Sequence, residues 1–458
     1  MHTAQLGFWW HTLGGPAPAG APLVGPTDAD VAIVGAGYTG LWSAYYLKRA
    51  APHLRVVVLE RELSGYGASG RNGGWVSGFF SGAPRRYEAR SGREALLALQ
   101  RAMFETVDVI GAFLSEHGLD ADYVKSGQLA VAIGSAQAAR QREAVAGARA
   151  RDLGEEDLRE LSHAELDERV RLAGASAATF TPHVARVHPA KLLKGLVETA
   201  ESLGVEIYEQ TPVLEIRPHL ALTPVGAVRA RWVLRASEGY TRSLKGYERA
   251  LVPMNSSMIV TEPLSTQAWS EIGWAGSELL ADGAHVYVYL QRTADGRIAI
   301  GGRGVPYRFG SRTDGGGKIA PATVRALRAK LARLFPPIDG IELAHAWSGV
   351  LGVPRDWCVS VGADPSRGLA WAGGYVGEGL AASNLAARTV RDLILGESSP
   401  LTVLPWVGRE PRRWEPEPLR WMGIRALYGL YRVSDRVERT TGRPSRMARL
   451  LDAVSGRA

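Results

Sequence analysis

Residues 30–60 read DVAIVGAGYTGLWSAYYLKRAAPHLRVVVLE, and the order of patterns within this stretch decides the fold. DVAIVG is a short continuous apolar run, the pattern of a strand buried on both faces. A glycine turn follows, Gly35-Ala36-Gly37-Tyr38-Thr39-Gly40, then LWSAYYLKRA with helical character and RVVVLE as a second strand. Strand, turn, helix and strand in that order form a dinucleotide-binding unit: Gly35 permits the sharp turn, Gly37 admits a pyrophosphate to the backbone, and Gly40 lets helix and strand pack closely. Glu60 ends the second strand 20 residues beyond Gly40, the separation at which a carboxylate accepts hydrogen bonds from a ribose. The helix N-terminus, with free N–H groups and partial positive charge, faces the anion.

Working outward, two more glycine clusters separate the possible cofactors. An acid at position 60 repels a 2′-phosphate, which disfavours NADP and leaves NAD or FAD. GASGRNGG, ending at Gly73 and Gly74, comes directly after the second strand, and Gly373-Gly374-Tyr375-Val376-Gly377-Glu378-Gly379 lies near the far end, ahead of a helix over 380–395. A flavin is longer than one nucleotide fold covers and needs such additional backbone with a second helix N-terminus, so FAD is the expected cofactor. NAD remains the alternative, disfavoured because the chain leaves the first unit early and returns twice.

Between these clusters the periodicity changes repeatedly. A helical stripe through Leu96, Leu99, Met103, Val107, Ile110 and Leu114, followed by GQLAVAIG, reads as departure from the first domain. Residues 190–203 and the strands VEIYE, VLEIRP and RARWVLRAS read as a return. SSMIVTEP, HVYVYLQRT and RIAIGG then alternate with period two, as in an antiparallel sheet with one covered face. The expected class is α/β: an FAD-binding Rossmann-like domain of the glutathione-reductase type with an interleaved α+β substrate domain containing a large antiparallel sheet. The expected boundaries are 28–93, 186–250 and 345–400 for the FAD domain, 94–185 and 251–344 for the substrate domain, and 401–458 for a basic C-terminal extension.

Bulk properties narrow the function classes. At 458 residues the chain exceeds what one core serves. A single cysteine, Cys358, forms no internal disulfide, and no stretch approaches the roughly 18 apolar residues of a spanning helix, so a cytoplasmic location without a membrane partner is expected. Of the net charge of +8, residues 409–458 supply six through 12 Arg against 6 Asp plus Glu. The surplus is therefore local, and it reads as a solvated basic tail before it reads as a nucleic-acid footprint. The ten His residues show no ligand spacing, so no metal is expected, and no G-x-S-x-G elbow is present.

The sequence resembles the D-amino-acid oxidase/glycine oxidase superfamily, especially its branch similar to gamma-glutamylputrescine oxidoreductase. The resemblance is carried by DVAIVGAGYTGLWSAYYL, VVVLERELSGYGASGRNGG, VHPAKLLKGLVETAESLGVEIYEQTPVLEI, RTADGRIAIGGRG and GGYVGEGLAASNLAARTVRDLILG, spanning about residues 28–397 in order. It implies that FAD is held by Gly35, Gly37, Tyr38, Thr39 and Gly40, by Glu60 and Arg61, and by the turn containing Gly67, Ser69, Gly70, Arg71, Asn72, Gly73 and Gly74. Val213 is implied near the adenosine half, and Gly374, Gly377, Glu378, Gly379 and Leu380 near the flavin ring. It further implies hydride transfer to flavin N5 from a carbon bearing an amine, giving an imine that water hydrolyses.

Three positions depart from relatives. Ser348 stands where the sarcosine oxidase branch carries a cysteine tether, so noncovalent FAD is expected. Leu351 stands where oxidases of free D-amino acids hold the substrate carboxylate with an Arg, which favours a small-molecule amine lacking an adjacent carboxylate, although Arg71 or Arg292 offers an alternative anion partner. Ala299 stands where that branch carries an oxygen-activating lysine, so the electron acceptor is oxygen or another carrier. For the substrate face the candidates are His285, Tyr287, Tyr289 and Trp347, with Arg71. The alternatives are an oxidase or dehydrogenase of a D-amino acid or N-methyl amino acid, and a flavin domain associated with RNA modification.

Overall fold

The apolar run before the glycine turn forms the strand Thr27–Val34, buried from Val31 to Val34, and VVVL forms Val56–Leu59, buried throughout. Such strands are covered on both faces, which is why they carry no alternation. These elements belong to a computed structural model that describes residues 6–313 and 315–456. Six strands of the first sheet run in the order Ser360–Asp364, Leu369–Gly373, Gly226–Arg235, Thr27–Val34, Val56–Leu59, Glu206–Tyr208. From Leu369–Gly373 to Glu206–Tyr208 every pairing is parallel, with Val31 opposite both Val56 and Trp232. The hairpin pair Glu215–Arg217 and Leu220–Thr223 extends the sheet from Gly226–Arg235.

Helix Tyr38–Ala50 packs against helices Gly379–Leu395 and Pro189–Ser202, and Gly379–Leu395 also receives the long helix Pro84–Glu116. The last contact differs from the sequence reading. Leu96, Leu99, Met103, Val107 and Ile110 share one core with Val31, Ile33 and Leu41, a core that also takes in Met258, Val260 and Trp347, so this stripe does not leave the first sheet's core. Helical periodicity shows that a face is buried; it carries no information on which neighbour buries it.

The second sheet has the order Leu343–Val353, Val252–Thr261, Ile298–Gly302, Val288–Arg292, Leu279–Asp282, Gln128–Ile133, Ala175–Thr181, Arg159–Leu161. All its pairings are antiparallel except that of Leu279–Asp282 with Gln128–Ile133. Leu343–Val353 pairs along its length with Val252–Thr261, so the chain rejoins the first sheet at Ser360 and not at residue 345. HVYVYLQRT is a strand only from Val288. Before it, the His285 and Val286 amides donate to the Asp435 carboxylate of the tail instead of to a ladder.

Both ends of the chain pack inward. The helix Phe8–His11 buries Phe8, Trp9 and Trp10. The helix Leu419–Thr441 buries Ile424 and Tyr428 against Val252, Met254 and Val353 at the edge of the second sheet. Among the described residues no helix is long and apolar enough to cross a membrane.

Candidate active site

The C-terminal ends of the parallel strands open onto a cavity of about 720 Å³, roofed by the second sheet. In open parallel sheets ligands bind at this end, because the turns that follow the strands converge there. The first turn is shaped as the sequence implied. Gly35 has φ +111°, and a Cβ on it would lie 2.8 Å from the Ala236 carbonyl oxygen; a Cβ on Gly40 would collide with the Gly35 carbonyl. Ser69 Oγ accepts a hydrogen bond of 2.9 Å from the Tyr38 amide and so joins the first turn to the second.

Glu60 lines the cavity, and its two carboxylate oxygens accept from the Ala36 and Glu62 amides, both at 2.9 Å. Protein encloses it although the cavity keeps it partly accessible, and burial pushes its carboxyl up to about 7 against the pull of those two amides. Glu238, which the sequence reading missed, does comparable work on the third turn. It accepts from the Gly374 amide at 3.1 Å and the Tyr375 amide at 3.0 Å, and burial likewise pushes it up to about 7. It follows the strand Gly226–Arg235, whose parallel pairing with Thr27–Val34 delivers the loop 236–244 to the cavity. The rule that ligands lie beyond the carboxyl ends of parallel strands pointed to this loop, once its strand was placed in the centre of the sheet.

The other residues named from the sequence divide clearly. Gly37, Thr39, Arg61 and Val213 line one side of the cavity; Gly67, Ser69, Arg71, Asn72 and Gly73 line it at the second turn. Gly377, Glu378, Gly379 and Leu380 line the third turn, at the N-terminus of helix Gly379–Leu395. Gly40, Gly70, Gly74 and Gly374 stand behind these walls: Gly70 backs onto Trp10 and the Gly65 carbonyl, and Gly74 onto Gln291 and the Val187 carbonyl.

Of the candidates for a substrate face, Tyr287, Tyr289 and Arg71 line the cavity. The Tyr289 hydroxyl lies 3.2 Å from Ser256 Oγ, and burial raises its pKa, so it stays protonated. His285 and Trp347 are not brought there. His285 Nε2 lies 3.0 Å from Glu438 Oε1, and Trp347 is fully buried with its Nε1 donating to the Arg71 carbonyl at 3.0 Å. The strand expected to carry His285 begins only at Val288, and Trp347 points from its strand toward Phe8 and Trp9. Arg292 also turns away, donating to the Trp274 carbonyl. Leu351 lines the cavity, while Ser348, Cys358 and Ala299 are buried elsewhere. Arg303, Ser256 and Trp75 line it without having been read from the sequence.

His285, Asp435 and Glu438 gather three potential metal ligands within 4.8 Å. Their oxygens are already engaged: Glu438 accepts from Arg140 at 2.5 Å and from the Ser445 amide at 2.8 Å, and Asp435 from two amides. This cluster pins the tail to the second sheet.

The cavity fits a flavin dinucleotide. Two helix N-termini, at Tyr38 and Gly379, face one elongated space, with a carboxylate at Glu60 on one side and aromatic side chains on the other. Two buried donors on its wall, Trp75 Nε1 and Arg303 Nη1, have no hydrogen-bond partner among the described residues. Gly37 and Thr39 would hold the pyrophosphate, Glu60 the ribose, and Gly377, Gly379 and Leu380 the ring end.

Comparisons agree with this geometry. The chain is 29% identical over 416 residues to a probable oxidoreductase, OrdL, of Rhizobium meliloti (strain 1021), across 87% of this chain and 90% of that protein. It is 28% identical over 379 residues to gamma-glutamylputrescine oxidoreductase of Escherichia coli (strain K12), across 81% and 84%. The crystal structure of glycine oxidase from Geobacillus kaustophilus shares the fold, with a TM-score of 0.71 at 23% identity, covering 84% of this chain and all of that one. The family model described as FAD dependent oxidoreductase matches residues 30–393. The chain therefore belongs to the FAD-dependent oxidoreductases, with FAD as its cofactor.

Proposed function

We propose that the chain oxidises the C–N bond of a primary or secondary amine to an imine that water hydrolyses to a carbonyl, using noncovalent FAD with oxygen as the final acceptor and hydrogen peroxide as product. The observation that carries this reading is the meeting of the glycine turns of one sheet with Tyr287, Tyr289 and Ser256 of the other on a single cavity. When bound, FAD supplies the hydride acceptor, so the protein need not supply redox groups of its own. What remains for the chain is to hold the substrate carbon, keep the amine neutral and exclude water. Glu378 lines the ring end, and burial holds its carboxyl above the ordinary value against hydrogen bonding with Ser77 and the charge of Arg303. A carboxylate made more basic in this way takes a proton from an incoming ammonium. Leu351, on the cavity wall, offers no donor to a carboxylate beside the amine, which supports an amine lacking one. The names of the relatives from Escherichia coli and Geobacillus kaustophilus denote compounds that carry amines.

Noncovalent binding is supported by Cys358, which does not line the cavity; burial pushes its thiol up to about 11, leaving it protonated and a poor nucleophile. Ala299, fully buried on Ile298–Gly302, favours a second reading for the acceptor alone, an electron carrier in place of oxygen.

The test is to purify the protein, release the yellow cofactor with acid, and follow its anaerobic bleaching across a panel of amines. Bleaching by amines that lack an α-carboxylate, with colour left in the acid supernatant, is the expected result. Colour retained in the pellet overturns noncovalent binding, and bleaching by no amine overturns the reaction. Oxygen uptake compared with dye reduction then separates the two acceptors.

A further inference from the structure

We propose that Arg303 is the anion anchor of the substrate site, and that the side pocket next to it receives a substrate carboxylate remote from the oxidised C–N bond. This rests on the reading of the main cavity as an amine-oxidation site. Arg303 follows the strand Ile298–Gly302 and borders both the main cavity and a smaller pocket of about 180 Å³. Only Tyr287, Arg303 and Glu378 belong to both walls, so the two spaces adjoin at the guanidinium.

The state of that guanidinium points to a missing ligand. Nη2 donates to the Val376 carbonyl at 3.0 Å and the guanidinium also bonds to the Tyr287 side chain, whereas Nη1 is buried and makes no hydrogen bond among the described residues. A buried cation with an unused donor is costly unless an anion arrives. Glu378 shares both walls with Arg303, but no ion pair joins them among the described residues, and hydrogen bonding with Ser77 already engages its carboxyl. A carboxylate on the substrate satisfies Nη1 with a charge-assisted bond.

The position separates this anchor from a site for a carboxylate beside the amine. Gly302 pairs with Ser257 and Leu351 with Met254 on the shared strand Val252–Thr261. Two strand spacings and about two residues of rise therefore lie between Arg303 and Leu351, roughly 12 Å of backbone. Leu351 does not border the side pocket. The fitting substrates are amines whose carboxylate lies several bonds away, as in ω-amino carboxylates.

The test uses the FAD-loaded protein and two pairs of probes. Pentanoate and pentanamide are redox-inert, and their binding is read from the change in flavin absorbance. Wild type is expected to bind pentanoate at least about tenfold more tightly than pentanamide, and Arg303→Met to erase the preference. In turnover, Arg303→Met is expected to raise KM for 5-aminopentanoate by about tenfold or more relative to its KM for 1-aminopentane. Equal binding of pentanoate and pentanamide by wild type, or a preference that survives in Arg303→Met, overturns the proposal. The wild-type comparison decides even if the variant fails to retain FAD. Should no amine bleach the flavin while pentanoate still binds through Arg303, the anchor stands and the amine-oxidation reading falls.

Discussion

At the scale of single residues, the carboxylates of the cavity carry the sharpest consequences. Glu60 is held by two backbone amides inside a protein wall, and burial brings it to about 7. Its folded value lies above the ordinary 4.5, so in the FAD-stripped protein its stabilising effect is complete below about 4.5 and is lost as pH rises through about 7. Melting curves of stripped protein at pH 5 and pH 8 are expected to show lower stability at pH 8 and a smaller drop in Glu60→Gln; an unchanged drop refutes the assignment. Glu238 contributes in the same direction, so the drop persists in part. The same variant exchanges a charge-assisted hydrogen bond for a neutral one, and FAD titration is expected to show affinity about tenfold weaker. The place of Glu60 on the cavity was legible in the sequence because it follows from spacing alone. Glu238 was not, because its role depends on which strand lies beside Thr27–Val34.

At the scale of elements, the two chain ends act as clamps. Trp9 Nε1 donates to the Asn72 carbonyl at 2.8 Å, and Trp347 Nε1 reaches the neighbouring Arg71 carbonyl, so the N-terminal helix holds the second glycine turn from behind. Trp9→Phe keeps most of the volume and loses the hydrogen bond. It is expected to lower stability by about 1 kcal/mol and to speed FAD release, measured by melting and by recovery of flavin fluorescence; FAD release at the wild-type rate would show that the clamp does not act on the turn. At the other end Glu438 fastens the helix Leu419–Thr441. Burial alone would raise its carboxyl, but hydrogen bonds from His285, Arg140 and the Ser445 amide bring it to about 2. This depressed value contributes stability that is present above about 4.5 and is lost as pH falls toward about 2. Limited proteolysis of the tail is expected to accelerate between pH 5 and pH 3 in wild type, and to be fast already at pH 5 in Glu438→Ala. The sequence showed a basic, tryptophan-rich tail, and nothing in its composition said which surface the helix covers.

At the scale of the whole molecule, two sheets whose strands alternate along the chain line one cavity, so FAD bound there would couple to the stability of both. Cofactor in hundredfold excess over its Kd is expected to stabilise the fold by about 2.7 kcal/mol, seen as a melting temperature that climbs with the logarithm of FAD concentration. A melting temperature indifferent to FAD would show that the cavity is not its site. The sequence by itself determined the strand-turn-helix-strand unit, the three glycine clusters, Glu60 and the interleaving of two kinds of sheet, because each is written in local spacing or periodicity. Only the tertiary structure decided that the helix Pro84–Glu116 packs on the first core, that His285 serves the tail, that Trp347 faces the N-terminal aromatics, and that Arg303 stands between cavity and side pocket. The reason is physical: alternation and helical stripes specify that a side chain is covered, whereas the identity of what covers it is set by strand order and register between segments far apart in the chain.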